Sequence, residues 1–164
     1  CDAVSIIGSA QSTTLGLYNN SFYGSFDTGV YLGANGVSAS FTLNVTSTNN
    51  VVMDCSPDFE ENTTASGVVS ITQTYCVSSD ATADDWGGAG NVISQSAAAC
   101  FVDPGTDSTP LAAGPLEDAG ATIGSFSDDA IGTTRPQGDA WDIGALELEA
   151  TATAFPYSFG TIIG

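Results

Sequence analysis

Polar and apolar residues alternate over short stretches of this chain, and the stretches share a pattern. Leu15 to Tyr23 reads LGLYNNSFY and Val45 to Met53 reads VTSTNNVVM, so an Asn pair, Asn19-Asn20 or Asn49-Asn50, precedes a short apolar run in each. A third stretch, VVSITQTYCV from Val68 to Val77, alternates in and out, and a fourth, NVISQSAAACFV, spans Asn91 to Val102. Alternation of period two marks strands that bury one face. The intervals are irregular, roughly 20 to 30 residues, as loops of varying length leaving a shared repeat would make them. The pattern predicts an all-β chain, a short parallel β-solenoid of four or five coils stacked about 4.8 Å apart. Stacking places like over like, so Asn19-Asn20 over Asn49-Asn50 predicts an Asn ladder at a turn, where Asn tolerates left-handed backbone. The same geometry would line Cys55, Cys76 and Cys100 along one interior stack. A two-sheet sandwich would show similar short strands, and the pattern alone leaves it open.

The texture changes after Pro104. Residues 103–140 are rich in Gly, Pro, Asp and Ala, with Leu111, Leu116, Ile123, Phe126 and Ile131 recurring among them. Such a segment reads as loops laid over an apolar surface, a cap for the last coil, whose open end would otherwise expose core and strand edge. The final residues, FPYSFGTIIG from Phe155 to Gly164, are apolar and uncharged. They read as an extended interface strand carrying Phe155, Tyr157, Phe159, Ile162 and Ile163, docked on this protein or a neighbour. The expected organisation is coils over 1–102, cap over 103–147 and tail over 148–164.

Charge narrows the function. The 164 residues hold 19 carboxylates (14 Asp, 5 Glu) against one cation, Arg135, with no Lys or His, for a net charge of −18. Neutralising phosphates takes clustered Lys and Arg, so nucleic acid is excluded as a partner, and an anionic membrane would repel the chain. Without His or Lys there is no Ser-His-Asp triad, no Schiff base and no phosphate-loop lysine. A disordered acidic tail is excluded too, because 42% of residues are hydrophobic. No apolar run approaches the roughly 20 residues of a membrane span. The cysteines, Cys1, Cys55, Cys76 and Cys100, have no metal-ligand spacing; they read as small buried hydrophobes, with disulfides left open. Cys1 has two readings, the lipidated first residue of a bacterial lipoprotein or simply where this segment starts.

In the C-terminal half, six short motifs follow one another. They are Gly90-Asn91-Val92, Phe101-Val102-Asp103-Pro104, Leu111-Ala112-Ala113-Gly114, Asp118-Ala119-Gly120, Arg135-Pro136-Gln137-Gly138 and Asp142-Ile143-Gly144-Ala145-Leu146-Glu147. Together and in order they resemble the end of right-handed parallel β-helix proteins of bacterial surfaces and bacteriophages, among them choice-of-anchor surface proteins and phage fibres and spikes. The resemblance covers about Asp84 to Glu147. It implies the fold and an extracellular setting, on a virion or cell surface, and no particular reaction. The chain departs from the family in reading GPLEDAG at Gly114 to Gly120, and residues 148–164 extend past the usual end.

The candidate chemistry is sparse. Arg135 is read as a structural partner of Asp118, Asp142 or Glu147 that pins the cap, with Trp141 beside it, in preference to an anion or carbohydrate contact. Asp84-Asp85, Asp58/Glu60/Glu61 and Asp128-Asp129 are the carboxylate pairs a glycosidase could use, given two carboxyls about 5 to 9.5 Å apart. Loop acids are usually solvated, and no enzymatic activity is expected. Trp86, in a Gly-rich loop after Asp84-Asp85, is the candidate glycan contact, while Tyr18, Tyr23 and Tyr31 read as half-buried solenoid positions. Asp80, Asp84 and Asp85 offer oxygen ligands to Ca2+, the one cofactor left open. The expected role is structural or adhesive, an exposed bacteriophage virion component, with partners among copies of itself, neighbouring structural proteins or a host glycan. The competing expectations are a bacterial surface or filament protein of the same fold and, further off, a carboxylate-based glycan hydrolase.

Overall fold

The computed structural model describes residues 4–7, 12–24, 27–33, 42–62 and 68–150. Cys1 and the tail residues Phe155, Tyr157, Phe159, Ile162 and Ile163 lie outside the described residues. The chain is built mostly of strands. They come in triplets: β1 (Val4–Ile7), β2 (Thr13–Tyr18) and β3 (Ser21–Tyr23); then β4 (Val30–Gly33), β5 (Thr42–Thr48) and β6 (Val51–Met53); then β7 (Phe59–Asn62), β8 (Val68–Thr74) and β9 (Val77–Ser78). Each strand pairs in parallel with the strand three places on, giving three three-stranded sheets ordered β1-β4-β7, β2-β5-β8 and β3-β6-β9. No hairpin links strands within these sheets.

Register follows the apolar alternation. Leu15, Val45 and Ile71 stand in one column and Leu17, Ser47 and Gln73 in the next. These side chains face a core made by Val30, Leu32, Leu43, Val45, Val52 and Phe59. The corner between the second and third strand of each triplet bends through one left-handed residue: Asn19 (φ 53°), Asn49 (φ 58°), then Tyr75 (φ 53°). Asn suits this conformation because its short amide bonds the neighbouring main chain. Asn49 Nδ2 donates to Asn19 Oδ1 at 3.0 Å, and Asn20 Nδ2 donates to Asn50 Oδ1 at 2.8 Å. The expected ladder is therefore present between the first two triplets. Tyr75-Cys76 replaces the Asn pair on the third, and the ladder resumes at Asn91, whose Oδ1 accepts the Cys76 N–H at 2.9 Å.

Residues 80–92 then pass the three open edges in the same cyclic order. Phe59 N–H donates to Thr82 Oγ1 beside β7, Asn91 Nδ2 donates to Gln73 O beside β8, and Val92 forms a parallel bridge with Val77 beside β9. A 3-10 turn (Thr82–Asp84) carries the fully buried Ala83 into the core. Residues 80–92 thus touch the open edge of each of the three sheets.

Residues 97–147 do something else: they cover the outer face of the third sheet. The helical turn α1 (Ala97–Cys100) and the antiparallel pair β10 (Phe101–Asp103) and β11 (Asp107–Pro110) begin this layer. A second core forms where Ala97, Cys100, Phe101, Leu116 and Ile143 meet Val51, Met53 and Val77. That is why β6 is buried at all three positions: Val52 faces the first core, Val51 and Met53 the second.

Two expectations are corrected. Cys55, Cys76 and Cys100 do not share a stack, since Cys55 follows β6 while Cys76 occupies the corner register of Asn20 and Asn50, and Cys100 belongs to the second core. The apolar residues of 103–140 do not all pack inward either. Leu116 is fully buried, but Leu111, Phe126 and Ile131 are exposed. Buried polar residues hold this layer together with the second core.

Candidate functional site

The densest polar cluster among the described residues surrounds Arg135. The guanidinium is buried and its Nη1 lies 2.5 Å from Glu147 Oε1, with both side chains at 0% exposure. Nη1 also donates to the carbonyl of Asp142 at 3.0 Å, and Nη2 to that of Gly144 at 2.9 Å. Its carbon sits 5.4 Å from the centre of the Trp141 ring, and Phe126 packs on the same indole at 5.6 Å. The fork therefore gathers Glu147 and two carbonyls of the Asp142-Ile143-Gly144 turn. Asp118 and the Asp142 carboxylate serve other partners.

Each neighbouring carboxylate ties down main chain. Asp142 accepts N–H bonds from Asp118 at 2.7 Å and Leu148 at 2.6 Å. Glu147 accepts from Asp142 at 2.8 Å and Gln137 at 3.2 Å. Asp118 accepts from Ala140 at 2.9 Å. Asp129, offered by sequence only as half of an acidic pair, accepts from Ile131, Thr133 and Glu147. A Cβ at Gly138 would lie 2.3 Å from Asp118 Oδ1, so any side chain there would force the Asp118 carboxylate to shift. Gly144, at φ +107°, is a glycine the turn demands; its N–H donates to Asn49 O at 2.9 Å.

Burial pushes the carboxyls of Asp142 and Glu147 above the ordinary range, against the opposing pull of their N–H donors and of Arg135. Asp129 moves the other way: burial opposes it, yet the N–H groups of Glu147, Thr133 and Ile131 hold it low. A pocket of about 290 Å³ opens beside the cluster, lined by Glu117, Asp118, Asp142 and Glu149 among others.

The Trp86 loop has a different character. Trp86 meets Phe59 edge to face, ring centres 5.8 Å apart, and packs against the first core. Asp84 and Asp85 are exposed beside it. The Asp80 carboxylate is engaged elsewhere, accepting from Asp58 N–H at 3.0 Å and from both donors of Thr82. Asp58, fully buried, answers by accepting from Cys55 N–H, Ser79 N–H and the Ser79 hydroxyl. Burial raises its carboxyl, against these donors. Asp80 therefore does not converge with Asp84 and Asp85, and no group of three metal-ligating side chains gathers among the described residues. Glu60 accepts from the Thr28 hydroxyl at 2.9 Å, and of the Asp128-Asp129 pair only Asp129 is buried.

Burial also silences the thiols. It raises that of Cys76 and pushes that of Cys100 up to about 12, leaving both protonated and poor nucleophiles at neutral pH. Beside Cys76, Gln73 is fully buried; its amide acts on the Cys76 thiol, while neither amide atom makes a hydrogen bond of full geometry among the described residues. A buried polar group without partners costs about 1–3 kcal/mol. Gln73→Met keeps the shape and removes that cost, so it is expected to raise the urea midpoint by an amount equivalent to roughly 1 kcal/mol or more. A lower midpoint would show that the amide stabilises the core.

Sequence missed three of these features. Asp58 bracing Asp80 was legible only as an acidic cluster. Asn49, whose amide bonds both N–H and C=O of Ala121, was read as a ladder residue alone. Gln73 looked like any polar residue in an alternating strand. No helix among the described residues is long and apolar enough to cross a membrane. No protein-family model, curated protein or solved structure matches this chain significantly.

Proposed function

We propose that this chain is a short right-handed parallel β-helix serving as a non-catalytic structural or adhesive component of an extracellular assembly, most simply an exposed fibre, spike or decoration protein of a bacteriophage. The cyclic strand order, the Asn ladder and the passage of residues 80–92 across all three edges support the helical reading. The motifs that resemble bacteriophage and bacterial-surface β-helix proteins support the setting.

One observation carries the structural role. The buried ionisable side chains Asp58, Asp129, Arg135, Asp142 and Glu147 all bind backbone groups of the fold itself. Catalytic carboxylates must instead face substrate, with room for it between them. Here such groups act as internal clamps, and the sparse surface charge of one sign keeps a repetitive β surface from associating along its edges.

The apolar tail is the proposed joint between copies, with Phe155, Tyr157, Phe159, Ile162 and Ile163 as its contacts. Deleting residues 151–164 is expected to abolish the oligomer in sedimentation velocity while leaving the circular dichroism of the monomer intact. An oligomer that survives the deletion would overturn this part. The setting is tested by electron microscopy with antibodies raised against residues 42–150. Label on phage fibres or spikes supports the virion reading. Label on a bacterial envelope, with a diacylglycerol on Cys1 in the intact mass, would replace it with a surface lipoprotein.

A further inference from the structure

The outer layer of residues 97–147 stops short of the sheet edge. It covers Val51, Met53 and Val77 on β6 and β9 but leaves their in-register neighbours on β3, Ser21 and Tyr23, at the rim. The result is a cleft of about 440 Å³ between β3 and the turn joining β10 to β11. This lies within the roughly 300–1,000 Å³ typical of small-molecule sites.

The lining is mixed. Phe101, buried, forms the floor, and Tyr23, 40% exposed, forms a wall. The turn meets that wall at Gly105, where an added Cβ would lie 3.0 Å from Tyr23 Cε1 and where φ is +89°. The backbone of Gly105 thus lies close against the Tyr23 ring. Asp107 and Ser108 also line the cleft. One Asp107 oxygen, Oδ1, is fixed by the Thr109 N–H at 2.9 Å, which orients the carboxylate. Thr106 turns its hydroxyl away to Asp103, and Ser21 Oγ is occupied by the Ala145 N–H.

We propose that this cleft binds a neutral saccharide, whose apolar ring face stacks on Tyr23 while its hydroxyls donate to Asp107 and exchange bonds with Ser108. An aromatic ring and a single oriented carboxylate in one cleft match a ligand ring that is apolar on its faces and hydroxylated at its rim. Anionic ligands are disfavoured by Asp107 and by the net charge of −18. One carboxylate is too few for a metal site of oxygen ligands. The assignment moves glycan contact away from Trp86, whose ring meets Phe59 over the end of the core, and goes beyond the assembly role above, which stands without it.

The test is a titration of the 15N-labelled chain with a panel of neutral disaccharides built from glucose, galactose, mannose and N-acetylglucosamine units. Digalacturonate and an extended Thr-Val pentapeptide serve as comparisons. A member of the panel is expected to shift the amides of Tyr23, Gly105, Asp107 and Ser108 with millimolar affinity. Tyr23→Ala should abolish those shifts, Tyr23→Phe should retain them, and Asp107→Asn should weaken binding about tenfold, the loss of one charged hydrogen bond. The remaining amides of Tyr23→Ala report that the fold is kept. Silence from the whole panel, shifts that persist in Tyr23→Ala, or equal binding of digalacturonate would each overturn the proposal. Shifts along β3 from the pentapeptide alone would replace it with strand addition at the sheet edge.

Discussion

Replacing Arg135 by alanine is expected to destabilise the protein by about 3–5 kcal/mol, the cost of leaving one member of a buried ion pair unpaired. For a chain of this size that is roughly 10 °C of melting temperature. Glu147 would be left at 0% exposure with no cation beside it, and the carbonyls of Asp142 and Gly144 would lose their donors. The Trp141 ring would lose its cationic neighbour. Because Ala145 and Gly144 bond Ser21 and Asn49, the loosened turn would also release its hold on the third sheet. Arg135→Met with Glu147→Gln should recover a large part of the loss, since it removes both charges and keeps most of the volume. Thermal unfolding of the three proteins by circular dichroism measures this. A melting curve for Arg135→Ala that overlays the parent would sink the assignment of Arg135 as the clamp of the outer layer.

Mild acid is expected to stabilise the protein, against the behaviour of most domains. Burial raises the carboxyls of Asp58, Asp142 and Glu147, so at these sites the folded chain binds protons more tightly than the unfolded chain. Their contribution is fully present below the unfolded-state pKa and is lost as pH rises through the raised folded values. Asp129 has the opposite sign. Its lowered pKa favours the fold above the ordinary 3.8 and fails as pH falls through the folded value. Self-repulsion adds to the first group, because 19 carboxylates face one arginine at neutral pH. The melting temperature should therefore climb as pH falls from 7 toward the ordinary carboxylate range, and turn down below about 4, where the unfolded chain takes up a proton that Asp129 in the fold does not. Added salt at pH 7 should give part of the same rise by screening the repulsion. Differential scanning calorimetry at constant ionic strength decides it: a steady decline from pH 7 to 5 would show that the charged forms of Asp58, Asp142 and Glu147 support the fold.

Much of the architecture was legible in the residues because stacked parallel strands repeat their chemistry. An Asn pair before an apolar run marks a corner twice, and the side-chain amides that bond between layers are the ones the alignment of LGLYNNSFY with VTSTNNVVM predicts. Alternation placed Leu15, Val45 and Ile71 in one column, as paired strands require. Where the pattern lapsed, so did the reading. Tyr75-Cys76 carries the third corner with no residue that announces it, and three cysteines spaced like a repeat turned out to occupy three unrelated positions. The cluster around Arg135 was legible as charge scarcity: one cation among carboxylates must find a partner. Which carboxylate it would meet was not, because the choice depends on turns at Asp118, Asp129 and Asp142 that fold against one another.

The sequence by itself determined that this is an all-β chain of short repeating strands carrying a lone arginine and no histidine or lysine. Those properties are local or additive: side-chain alternation, corner residues and summed charge do not depend on what packs where. Tertiary structure alone decided that residues 80–92 run along the edges of the three sheets and that 97–147 lie on the flank of the third sheet. It also decided that Trp86 meets Phe59 at the core end and that Tyr23 stands at the rim of a cleft. These are contacts between segments up to 124 residues apart, as between Ser21 and Ala145. Burial energy depends on which surfaces meet, and a hydrophobic residue such as Leu116 or Ile131 carries no mark of whether its neighbour will arrive.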